Sequence, residues 1–120
     1  MPSVSFPRPL SPPERAALRD LIERAGVPER DVLLAQVDAA EALSGCACPC
    51  PTISLRVDPT AAEPVEYTAK PIATADYDDG AVMVWVEDGW LSHLELTWYV
   101  ADPPPSAFPP PTSMSNHRVG

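Results

Sequence analysis

Three cysteines at alternate positions, Cys46, Cys48 and Cys50, form the densest group of reactive side chains in this 120-residue chain. They stand in the segment G-C-A-C-P-C-P-T-I, residues 45–53. Thiolates bind zinc, but structural zinc sites usually place at least two residues between paired cysteines. Here one residue separates each pair, and the intervening prolines favour an extended chain with alternate thiols about 6.6 Å apart. The spacing therefore predicts reduced, unliganded thiols, and zinc binding or thiol-redox chemistry is the alternative.

A second group of chemically capable residues lies in the C-terminal half of the chain. His93, Glu95 and Tyr99 alternate with apolar residues, so they share one face of a predicted strand. This row contains acid–base groups, but it is also the composition of an ordinary solvent-facing strand. Trp85 and Trp90 join it as candidates, because exposed tryptophans are frequent anchors of protein interfaces. For Trp85, packing against helices is an equally weighted alternative.

The remaining sequence contains no pattern that indicates catalysis. The chain has only five glycines and lacks a P-loop, a dinucleotide-binding glycine motif, a G-x-S-x-G elbow and an H-E-x-x-H helix. The acidic string at residues 76–80 does not match the calcium-loop register and is typical of a turn. We therefore expect a non-enzymatic protein without a catalytic site.

Acidic residues dominate the part of the chain that follows the first helices. The formal net charge is −9, and residues 31–102 hold thirteen carboxylates against only Arg56 and Lys70. A field of this sign repels nucleic acids and anionic membranes, so neither is an expected partner, whereas a basic protein is. No segment approaches the roughly 18 apolar residues of a membrane span, and the first residues lack a leader pattern. These features predict a cytoplasmic protein.

Local patterns predict two helices before a sheet. Ser11 precedes Pro12, Pro13 and Glu14, which is the signature of a capped helix start, and apolar residues then recur with helical spacing up to Gly26. A second short helix is predicted over 28–36, and a strand over 37–44. Further strands are predicted over 52–58, 65–75, 81–86 and 90–100, with a hairpin turn at Asp88-Gly89.

These elements indicate an α+β fold, with the helices on one face of an antiparallel meander of four to five strands. Eleven of the 17 prolines fall within residues 2–13 and 103–111, where they favour extended or irregular chain. The predicted organisation is a proline-rich arm over 1–10, one domain over 11–102 and a proline-rich tail over 103–120. The tail is expected to pack on the domain through Phe108 or to be disordered.

Three segments give the chain a resemblance to other proteins. They are the cysteine-rich turn with its following strand, residues 45–57, the hairpin over residues 82–95 with the string D-G-W-L-S-H-L-E at 88–95, and D-P-P at 102–104. The chain resembles a family of short proteins from high-GC bacteria in which such a turn precedes a strand and D-G-x-L-S-x-L-E closes a meander. The family has no established activity, so the resemblance implies the segmentation only.

The predicted function is a small, acidic, non-catalytic binding or accessory protein. One form of it is an immunity-type protein that neutralises a basic toxin by presenting an acidic sheet. The candidate binding residues are Trp85, Trp90, His93, Glu95 and Tyr99. The alternative is a metal-binding or thiol-redox protein built on the cysteine cluster, with zinc as the implied cofactor.

Overall fold

Within residues 6–45, 50–99 and 105–120, which a computed structural model describes, seven antiparallel strands form one sheet and two α-helices lie against it. The helices are α1 (Pro12–Arg24) and α2 (Arg30–Asp38). The strands are β1 (Arg8–Pro9), β2 (Ala40–Gly45), β3 (Ile53–Val57), β4 (Ala73–Tyr77), β5 (Gly80–Glu87), β6 (Trp90–Trp98) and β7 (Ser115–Arg118). The order of the strands across the sheet is β1-β2-β3-β6-β5-β4-β7. The α+β class predicted from the sequence is confirmed.

Helix α1 forms where the capping signature places it. The Ser11 hydroxyl accepts the Glu14 amide, and the Glu14 carboxylate accepts the Ser11 amide, so each end of the box satisfies a backbone donor. Leu18, Leu21 and Ile22 form a fully buried stripe against the sheet. Burying three large aliphatic side chains contributes about 1.5–3 kcal/mol each, which fixes the helix on this face.

Helix α2 begins and ends two residues later than the predicted 28–36, and the strand expected over 37–44 begins only at Ala40. Gln36 explains the difference. Its side chain is fully buried and bonds to backbone groups of the sheet and of the loop that follows β3. These hydrogen bonds hold the last turn of α2 in helical form. They are tertiary contacts, so the helix propensity of the local residues does not predict them.

The hairpin of β5 and β6 has the predicted turn, since both Asp88 and Gly89 adopt positive φ, at 53° and 89°. The strand predicted over 65–75 is displaced, because β4 covers only Ala73–Tyr77. Residues 65–72 instead attach to the sheet at isolated points, such as the hydrogen bond from the Val65 amide to the Gly89 carbonyl. Pro71, which lacks an amide hydrogen, interrupts the ladder there.

Both proline-rich ends take part in the sheet, which is why it has more strands than the four to five predicted. Strand β1 pairs with β2 at one edge, and β7 pairs with β4 at the other. In the tail, Phe108 and Met114 are buried in the core, so of the two alternatives for the tail the structure shows packing through Phe108. The packed unit therefore reaches beyond residues 11–102. No helix in the described ranges is both long and apolar enough to cross a membrane.

Candidate functional site

The two faces of the sheet differ in what covers them. In β5, Val82 and Val84 are fully buried in the core that α1 and α2 complete, so the alternate residues Met83 and Trp85 belong to the opposite face. Trp85 is half-buried there and does not belong to the core cluster that the helices share. The alternatives for Trp85 were exposure on the sheet surface and packing against the helices. The structure places it on the face that the helices do not cover. We call this surface the open face.

A bulge in β6 sets which side chains of that strand reach the open face. Val86 pairs with Leu91 and Trp85 with His93, so Ser92 is an extra residue in β6. Because of it, Leu91 turns into the core while His93 and Glu95 lie on the open face. Bulges of this kind are frequent beside functional sites, where they redirect side chains. The string L-S-H-L, with two polar residues between leucines, is the signal of the broken alternation.

Four side chains surround a shallow cavity of about 270 Å³ on the open face: Thr52, Trp85, His93 and Glu95. Trp85 stands opposite His93 across the β5–β6 ladder, and its indole Nε1 donates a hydrogen bond of 2.9 Å to Glu95 Oε1. This bond links neighbouring strands and fixes the carboxylate at the edge of the indole ring. Three of the five predicted binding residues therefore lie together in one site.

Thr52, which was not among the predicted binding residues, completes the cavity from the segment before β3. Its hydroxyl accepts the Leu96 amide at 3.0 Å and lies 3.5 Å from the Leu96 carbonyl oxygen. These contacts attach residue 52 to β6 near the point where β3 joins it, at the pairs Ile53–Leu94 and Ser54–His93. The alternation of side chains places Thr52 on the same side of the sheet as Ser54. Only the strand order shows that Thr52 lies beside β6.

The polar groups around His93 do not form a catalytic relay in the described part of the chain. His93 Nδ1 lies 3.2 Å from the hydroxyl of Ser92, its half-buried sequence neighbour, and Glu95 accepts a hydrogen bond from Trp85. Ser54, opposite His93, bonds to the Ser44 hydroxyl and carbonyl instead. Among the described residues around His93, no nucleophile is therefore hydrogen-bonded to a base that an orienting group holds in turn.

Carboxylates on the strands of the open face differ in their partners. Glu41 pairs with Arg56, and Asp76 pairs with Arg118 at 3.2 Å. Hydrogen bonds from Asn116 and Arg118 lower the pKa of Asp76 below its ordinary value. Glu95 differs, because it belongs to no ion pair among the described residues.

The acidity of this part of the chain is concentrated in connections rather than spread over the open face. Carboxylates occupy the loop after β3, the β4–β5 turn and the β5–β6 turn; they are Asp58, Glu63, Glu66, Asp78, Asp79 and Asp88. Among the described residues, the strand carboxylates on the open face are Glu41 and Asp76, each paired with an arginine, Glu95 beside the indole ring of Trp85, and Glu87 at the end of β5.

The other two predicted binding residues lie elsewhere. Trp90, at the start of β6, is half-buried against the core and borders a different cavity with Arg56 and Glu87. Tyr99 is 74% exposed just beyond the end of β6, where its amide bonds to the Asp79 carbonyl. It is six residues from His93, or about 20 Å along the strand.

The cysteine turn gives a different result from the one expected. Cys46 and Cys48 lie outside the described residues, whereas Cys50 is disulfide-bonded, so the prediction of three free thiols is wrong. That prediction assumed an extended chain, and the chain bends at Cys50. Within the described ranges, no cluster of three or more histidine, cysteine or acidic side chains is arranged to hold a metal ion.

Cys50 borders a cleft of about 230 Å³ between the N-terminal arm and the start of α1. Here the Arg8 guanidinium donates two hydrogen bonds of 2.8 Å to the Glu14 carboxylate, and the Ser11 amide donates a third. Burial by itself raises the pKa of Glu14, but these bonds and the Arg8 charge outweigh it, so the pKa lies below its ordinary value of 4.5. The carboxylate thus fastens the arm to the helix.

Comparison with known proteins adds no relative: no family model, curated protein or solved structure matches this chain.

Proposed function

We propose that this protein is a non-catalytic binding protein that docks a basic protein partner on the open face of its sheet. The observation that supports the proposal most strongly is the Trp85–Glu95 pair at one cavity, an aromatic ring and a carboxylate that has no cationic partner among the residues the structure describes. Tryptophan is enriched among residues that dominate interface energies. A protein that neutralises a basic toxin is one form of this function.

The net charge of this chain indicates which class of protein its partner belongs to. The formal net charge is −9, so encounter with a basic protein is accelerated and encounter with a second copy of this chain is opposed. The loop carboxylates at both ends of β5 add a negative rim to the open face. A basic surface that covers Trp85 is therefore favoured over self-association.

The metal-binding alternative is less well supported. It requires Cys50 as a thiolate, and a disulfide-bonded sulfur is not one. The thiol-redox alternative would need a reactive cysteine in an electropositive, accessible environment. Arg8, the nearby cation that borders the same cleft, is already paired with Glu14.

The test is affinity capture from a native lysate, with variants that separate the open face from the rest of the surface. Trp85→Ala removes the anchor, and Glu95→Gln removes the charge while keeping the shape of the side chain. Tyr99→Ala is the matched control, since it deletes an exposed aromatic far from the cavity. Circular dichroism of each variant verifies folding.

The proposal predicts one basic protein that wild type and Tyr99→Ala retain, and that Trp85→Ala and Glu95→Gln lose. Retention should also fall between 0.1 M and 1 M salt, as the Debye length shrinks from about 10 Å to about 3 Å. A captured protein that is indifferent to both open-face variants contradicts the proposal. So does a dimer of this chain, seen by light scattering, that Trp85→Ala dissociates.

A further inference from the structure

The cavity on the open face is matched in size to a single side chain. Its volume, about 270 Å³, lies below the roughly 300–1,000 Å³ of sites that enclose drug-sized ligands. Its walls are contributed by β5, β6 and the residue before β3, which the hydrogen bonds of Trp85 and Thr52 hold in place. A preorganised recess of this size at an interface receives one projecting residue of the partner.

The chemistry of the walls selects a cation. The indole ring of Trp85 presents the most favourable aromatic surface for a positive charge. Glu95 is fixed beside that ring through Oε1 by the 2.9 Å bond from Nε1, and its charge has no cationic partner among the described side chains. An anionic or purely apolar residue placed here would leave the Glu95 carboxylate uncompensated.

Between the two common cationic side chains, the geometry favours arginine. A guanidinium is planar, stacks on an aromatic ring and hydrogen-bonds to a carboxylate through several N–H groups at once. An ammonium is a compact, strongly hydrated point charge that loses more hydration when it enters a recess. A ring and a carboxylate side by side therefore suit the guanidinium better.

We propose that the cavity formed by Thr52, Trp85, His93 and Glu95 is a receptor for an arginine side chain of the basic partner. In it the guanidinium stacks against the Trp85 indole and pairs with the Glu95 carboxylate. This inference rests on the proposed function and names the group that the open face recognises.

The experiment uses short peptides rather than the partner, so it stands apart from the capture assay. Acetyl-Gly-Arg-Gly-amide is titrated into ¹⁵N-labelled full-length protein at low ionic strength, with the lysine and citrulline peptides in parallel. The readout is the indole N–H resonance of Trp85, assigned from its absence in Trp85→Phe. The indoles of Trp90 and Trp98 serve as internal references.

The arginine peptide should shift the Trp85 indole saturably, with a dissociation constant on the order of 1 mM, as suits a single side chain. Glu95→Gln should weaken binding at least about fivefold, and the matched control Glu41→Gln, which alters a carboxylate paired with Arg56, should leave it unchanged. Citrulline, which is neutral, should not bind, and lysine should bind several-fold more weakly.

Three results would overturn the inference: no saturable shift of the Trp85 indole, equal shifts with the citrulline peptide, or equal affinity for lysine and arginine. If a partner is captured through Trp85 while the arginine peptide fails, the arginine assignment falls and the proposed function stands. If the arginine peptide binds as expected and no basic partner is captured, the arginine assignment stands and the proposed function falls.

Discussion

The side-chain oxygen of Gln36 accepts the backbone amide of Leu91, at 2.9 Å, and so joins α2 to the start of β6 across 55 positions of sequence. The Gln36 side-chain nitrogen donates to the carbonyls of Glu63 and Gly89, at 2.8 and 2.9 Å. A fully buried amide thus connects the helix, the hairpin turn and the loop after β3. The side chain of Gln36 therefore fixes the position of α2 relative to the sheet.

Gln36→Leu should lower the free energy of unfolding by about 2–3 kcal/mol. The substitution preserves bulk but removes the partner of a buried backbone amide, and such a group costs about 1–3 kcal/mol when left unsatisfied. Urea denaturation followed by tryptophan fluorescence measures the change. Asp31→Asn, on the exposed side of the same helix, is the control and should stay within about 0.5 kcal/mol of wild type. A Gln36→Leu midpoint equal to that of the control would refute the role of this bond.

Glu14 should make stability depend on pH below neutrality. Its folded-state pKa is lowered, so its contribution is present above the unfolded value, near 4.5, and is lost as pH falls through the folded value. Denaturation midpoints measured from pH 7 to pH 3 should therefore decline more steeply at the acidic end in wild type than in Glu14→Gln.

Arg8→Met supplies the matching test from the other side of the ion pair. Without the guanidinium, burial of Glu14 raises its pKa with less opposition, so the acid-dependent loss of stability should shrink. If both variants keep the wild-type pH profile, the Arg8–Glu14 pair does not contribute to the acid sensitivity.

Phe108→Ala should lower the free energy of unfolding by about 3–5 kcal/mol, as truncation of a buried phenylalanine does. The ring is 5% exposed and belongs to the core cluster. The tail is also held by His117, whose Nε2 lies 2.7 Å from the Asp20 carboxylate of α1. Thr112→Ala, at an exposed position of the same tail, is the control. Equal stability of the two variants would show that the tail is dispensable for the core.

Thiol titration of the native protein, purified without reductant, should find about one free thiol per chain. The chain has three cysteines, and a disulfide that includes Cys50 within one chain consumes two of them. After denaturation with reductant and its removal, the count should rise to three. A value of three before reduction would mean that the Cys50 disulfide is absent in solution.

The sequence by itself determined the elements whose stability is local. The Ser11–Glu14 capping box and the Asp88-Gly89 turn depend on contacts within a few residues, and the Leu18–Leu21–Ile22 stripe shows the spacing of a helix, so their signals are readable without the fold. The alternation in β6 likewise assigned Leu94 to the core and Glu95 to the opposite face. These patterns also sufficed for the α+β class.

Only the tertiary structure decided which of those residues meet. Trp85 and Glu95 are neighbours because of the β5–β6 register, and Thr52 joins them because β3 lies beside β6 rather than beside β4. Strands β1 and β7, in the proline-rich ends, form because the edges of the sheet supply hydrogen-bonding partners for them. The sequence of each end does not by itself specify a strand. Register, strand order and the burial of Gln36 are set by non-local packing across many residues, and no short pattern encodes them.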